Sequence, residues 1–123
     1  MELQAIITGH GADYGQCAEF CNHQHEFTVD GEVYFHEHLD PGDQEACSNS
    51  TLATGTVPNQ SGTWWFGRGG WCPGRRVDPV VFDVTAHAKD GSVTVDYRGL
   101  NNNNTPVDGS GNIEMRSWLV VYE

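Results

Sequence analysis

CNHQHEFTV, residues 21–29, is the stretch whose reading decides the fold. In an extended chain Cys21, His23, His25, Phe27 and Val29 share one face, while Asn22, Gln24, Glu26 and Thr28 share the other. The two histidines therefore side with the apolar residues. A helix would scatter these positions, so the segment reads as a half-buried strand with two imidazoles turned toward a core.

Similar short runs flank it. LQAIIT at 3–8 reads as a preceding strand, and VYFHEHL at 33–39 as a hairpin partner across a DGE turn. VVFDVTAHA, SVTVDYRG and IEMRSWLVVYE read as later strands, the first two on either side of a KDG turn, and NNNNTPVDGSGN as a polar loop. Residues 40–76 form a long irregular region holding the aromatic cluster TWWFGRGGWCPG. No window carries a helical repeat. Fifteen glycines and five prolines among 123 residues fit strands joined by loops. The expectation is an all-β, antiparallel jelly-roll β-sandwich of seven or eight strands, forming a single domain over residues 1–123.

Seventeen acidic against six basic residues give a formal charge of −11, which repels nucleic-acid backbones and anionic membranes. No apolar run reaches the roughly 20 residues of a membrane span, and MELQAIITGHG lacks the flanks of a signal peptide. A soluble chain with no nucleic-acid or membrane partner is expected. Four cysteines in a loop-rich domain favour two disulfides and a secreted or periplasmic setting. Cys17 and Cys21 would stand roughly 13 Å apart if extended, against the roughly 4.4–6.8 Å a disulfide needs. QCAEFC must then be a turn, and Cys47 would pair with Cys72. The alternative is a C-x3-C-x-H-x-H zinc site, whose ligands are more cramped than the usual spaced pairs.

An H-x-H pair on a strand sets two imidazoles side by side, within reach of one metal ion. The competing reading is a pair of core histidines satisfied by hydrogen bonds. Met115 stands on the apolar face of the last strand with Ile113, Ser117, Leu119 and Val121. Two imidazoles and a thioether suit copper, Cu(I) above all, and leave a position open. The expected cofactor is one copper ion on His23, His25 and Met115. Dioxygen or peroxide and a reductant would be its partners if it is redox-active. His36 and His38 read as a more solvated pair, a surface site at most able to pick up Cu(II), Ni(II) or Zn(II), and His10 as a glycine-flanked loop residue that could be a further ligand or a substrate contact.

ITGHGADYGQCAEFCNHQHEFTV and SGTWWFGRGGWCPG together resemble the C-terminal domain of the peptide-N-glycosidase F family, amidases that remove N-linked glycans. The resemblance implies an eight-stranded jelly roll with disulfides Cys17–Cys21 and Cys47–Cys72. It also implies Glu19 as an essential carboxylate, and Arg68 and Trp71 as residues lining a glycan cleft. The principal catalytic Asp of that family lies on a separate N-terminal jelly roll, so amide hydrolysis is not expected of this domain alone.

HQH at 23–25 with EMRSWLVVY at 114–122 resembles the ascorbate-dependent copper type II monooxygenases, such as peptidylglycine α-hydroxylating monooxygenase. That resemblance implies oxidoreductase chemistry at a His-His-Met copper, with a further domain for the second copper. Two functions are therefore weighed: a mononuclear copper domain, and a glycan-binding or half-site domain of an N-glycanase. Their partners would be oxygen species in the first case and a glycan or glycopeptide in the second, with further domains of a larger protein in either.

Overall fold

The computed structural model describes residues 1–11, 17–54, 62–88, 91–101 and 111–122. Most of the asparagine-rich loop and two residues of the KDG turn lie outside them. Among the described residues six strands form two antiparallel sheets of three. One sheet has β1 (Glu2–His10) between β4 (Val80–Asp83) and β6 (Asn112–Val120). The other has β2 (His23–Val29) between β3 (Glu32–His38) and β5 (Val95–Asn101). Against the seven or eight strands expected, six stand among the described residues, and no closed sandwich is shown. The all-β class and both cysteine pairings hold: Cα atoms are 5.1 Å apart for Cys17–Cys21 and 5.5 Å for Cys47–Cys72.

Both sheets feed one core. Leu3, Ala5 and Ile7 of β1 meet Phe27 and Val29 of β2 and Val84, with Tyr34, Tyr97, Ile113 and Met115 packed at its edge. Alternation in β1 is strict, the apolar odd positions being buried and the even ones half-exposed.

Two departures have local causes. A helix, α1 (Ala46–Thr54), stands where no helix was expected. Its sequence ACSNSTLAT has no apolar stripe to announce it; tertiary bonds hold it instead. The backbone N–H groups of Cys47 and Ser48 donate to the Trp65 carbonyl, filling vacancies of the first turn, and Cys47 is tied to Cys72. The strand expected to run through VVFDVTAHA stops at Asp83. There the Asp83 carboxylate accepts from the Thr85 N–H (3.0 Å) and hydroxyl (2.6 Å), and the chain turns into a short 3-10 helix, Thr85–His87.

The hairpin β2–β3 fixes the register on which the site depends. Asp30 and Gly31 both take positive φ, 45° and 89°, the signature of a two-residue type I′ turn. Val29 then faces Glu32, and counting outward His25 faces His36 and His23 faces His38.

Candidate functional site

That register places four imidazoles on one face of a hairpin. His23 and His25 are buried, as expected for the inner face of β2, while His36 and His38 are half-buried rather than solvated. Three ring nitrogens converge: His23 Nδ1 lies 2.8 Å from His25 Nε2, which lies 3.3 Å from His38 Nδ1. The nearest ligand atoms of the three residues all fall within 4.8 Å of one another.

Proton positions follow from the outer partners. His23 Nε2 faces the Ala18 carbonyl at 3.0 Å, so it carries the hydrogen and Nδ1 is bare. His25 Nε2, facing that bare nitrogen, must then be the donor. Its own Nδ1 accepts from the Tyr97 hydroxyl at 2.8 Å. Burial pushes the Tyr97 hydroxyl up to about 12, so it keeps the proton it donates. Burial, followed by repulsion from His38, His23 and His36, pushes His25 down to about 2. Burial, with His23 and His36, takes His38 to about 3. Burial also lowers His23 and His36. The cluster is uncharged at neutral pH.

Three glycines let backbone press against these rings. A Cβ on Gly9 would run into the Ala18 carbonyl and stand 2.7 Å from His23 Nε2. One on Gly69 would meet the same carbonyl and lie 2.5 Å from that nitrogen, and one on Gly70 would lie 2.5 Å from His38 Cε1. Gly9→Ala is expected to lower the unfolding free energy by about 2 kcal/mol, because the obstructing atom is backbone and cannot swing aside. Urea denaturation measures this; an unchanged midpoint would mean that the chain there yields freely.

Gly69 and Gly70 lie between Arg68 and Trp71, so one loop touches both candidate sites. The Arg68 side chain is wholly buried. Its Nε donates to Glu19 Oε1 at 2.9 Å, Nη1 to the carbonyls of Trp64 and Phe66, and Nη2 to Thr63 Oγ1. Its guanidinium lies 5.3 Å from the Phe20 ring centroid and 4.9 Å from that of Trp71. Trp71 Nε1 donates to the Gly9 carbonyl at 3.0 Å, and its ring stacks on His10 at 5.3 Å. His10 is the last residue of β1, not a loop residue. Glu19, Arg68, Trp71 and His10 thus form one chain of contacts, in which Arg68 braces the others. Trp71 lines two cavities of about 480 Å³, one shared with Arg68, His36 and His38, the other with His10 and Glu114.

Met115 is half-buried on β6, level with Ile7 of β1, and packs on the core. Sequence reasoning set His38 apart with His36 as a separate surface pair and missed its meeting with His23 and His25. Its signal was present in the two H-x-H pairs standing symmetrically about the Asp30–Gly31 turn, a symmetry that any two-residue hairpin converts into facing pairs.

A family model described as peptide-N-glycosidase F, C terminal, matches residues 1–120. No curated protein and no solved structure gives a significant match.

Proposed function

The chain belongs to the family of peptide-N-glycosidase F C-terminal domains, and from that premise we propose that it is a glycan-directed module. It would be either a carbohydrate-binding domain or one half of an N-glycanase cleft. The supporting observation is the Glu19–Arg68–Trp71–His10 contact chain, in which Trp71 lines two cavities, one with Arg68 and the other with His10. A carboxylate offers acceptors to sugar hydroxyls, and an indole braced on a guanidinium gives a flat apolar edge with little freedom to lose on binding. Arg68 acts as a positioning residue, since its buried donors are directed to Glu19 and the loop. The two disulfides suit an oxidising, secreted or periplasmic setting.

Chitobiose binding measured by calorimetry in the presence of a chelator tests this reading. Trp71→Ala should weaken binding by at least about tenfold, or about 1.4 kcal/mol, and Glu19→Gln should weaken it less. Wild-type protein with no affinity for chitobiose or larger N-glycan cores would end the proposal.

A second reading, copper on His23, His25 and Met115, is favoured by one observation. Both imidazoles turn inward with nitrogens 2.8 Å apart, and Met115, on the other sheet, packs on the apolar core that includes Phe27 and Val29 of the same strand. Copper there would supply redox chemistry with dioxygen or peroxide and an external reductant.

A further inference from the structure

The imidazole cluster offers a ligand set that neither reading contains. We infer that His23 Nδ1, His25 Nε2 and His38 Nδ1 form a site for one divalent transition-metal ion, zinc(II) or copper(II), reached through His38 from the cavity lined by Arg68 and Trp71.

The spacing supports this. Nitrogens bound to one tetrahedral zinc ion at about 2.0–2.1 Å stand about 3.3 Å from one another. Of the observed separations, 3.3 Å matches that value and 2.8 Å must open by about 0.5 Å, while the remaining pair, within 4.8 Å, closes by an inward movement of His38. All three residues sit on adjacent strands of one sheet, with His23 directly opposite His38, so the arrangement is set by strand pairing and not by loops.

The outer nitrogens fit as well. The Ala18 carbonyl holds His23 with its bare nitrogen inward. The Tyr97 oxygen can accept from His25 Nδ1 as readily as its hydroxyl donates, so moving one proton within the His25 ring frees Nε2 for an ion. In the metal-free cluster a single hydrogen on His25 Nε2 serves two acceptors, and His38 receives only the longer contact. An ion would satisfy all three nitrogens together.

The donor chemistry narrows the ion. Three neutral imidazoles suit zinc(II), copper(II) or nickel(II), and give calcium and magnesium no oxygen ligands. His23 and His25 are closed off, but His36 and His38 line the cavity, whose wall carries Glu37, Asp40 and Asp78 alongside Arg68, Arg75 and Arg76. Three protein nitrogens leave a tetrahedral ion one position free, the arrangement of catalytic rather than structural zinc. The inference shares His23 and His25 with the copper reading but replaces Met115 by His38.

Chelator-stripped protein is titrated with zinc(II) against a chromophoric competitor and with copper(II) under paramagnetic resonance. One equivalent of each should bind, copper(II) with hyperfine structure from three nitrogens. His38→Ala should lower zinc affinity on the order of a hundredfold or more, and Met115→Leu should leave it unchanged. Circular dichroism checks that each variant is folded. Because the resonance spectrum is read on the wild type, the result does not depend on a variant surviving. Absence of both zinc and copper uptake, or uptake indifferent to His38→Ala, overturns the proposal. Copper uptake lost in Met115→Leu but kept in His38→Ala would overturn it while leaving the His-His-Met reading in place.

Discussion

Arg68→Ala lowers the unfolding free energy by about 3–5 kcal/mol, the range for breaking a buried ion pair from one side. The side chain is wholly buried, and its hydrogen bonds reach Glu19, two loop carbonyls and a threonine hydroxyl. Truncation leaves the Glu19 carboxylate without its guanidinium and removes the planar group between Phe20 and Trp71. Lysine cannot substitute, because one ammonium cannot aim donors at partners spread around a fork or stack between rings. Arg68→Lys should therefore recover less than half of the loss. Urea denaturation of the two variants measures both effects. A loss below about 1 kcal/mol for the alanine variant would place Arg68 among ordinary surface ion pairs and undo its bracing role.

Mild acid destabilises the metal-stripped protein. His25, held down at about 2, and His38, at about 3, stay neutral in the fold, while in the unfolded chain they titrate near 6.5. Below about pH 6.5 the unfolded state takes up protons that the folded state refuses. Stability from these rings is thus complete above that pH and is lost as pH falls toward 3. Each ring contributes up to about 1.4 kcal/mol per pH unit. Half-buried His38 counts for less, so roughly 3 kcal/mol should disappear between pH 7 and pH 5. The formal charge of −11 acts in the opposite sense, since acid relieves its self-repulsion. Stability that held level or rose over that interval would show that the imidazoles accept protons in the fold.

Much of this was legible in the chain. The strict alternation of β1, and that of β2 except for Glu26, which is buried and paired with Arg98, identified the core face, and the cysteine spacing with QCAEFC as a turn gave both pairings. Six strands lie where extended runs were read. What escaped was set by partners distant in sequence. α1 depends on the Trp65 carbonyl and a disulfide, and nothing in ACSNSTLAT announces either. The stop after Asp83 rests on a side chain competing for backbone, a signal easily hidden inside an apolar run. His38 was within reach, because a hairpin had been read around Asp30–Gly31 and only the counting outward from it was missing. The burial of Arg68 was not, since an arginine beside glycines and tryptophans reads equally as a ligand contact or as a plug.

The type I′ corner touches none of the rings whose meeting it dictates. Lengthening that corner by one amino acid would slide β3 by a single step against β2 and rotate alternate side chains to the opposite surface. His36 and His38 would look outward, and Phe35 and Glu37 would take their places indoors. A change at the solvent edge, far from every nitrogen, could thus erase the cluster while leaving each histidine in the sequence.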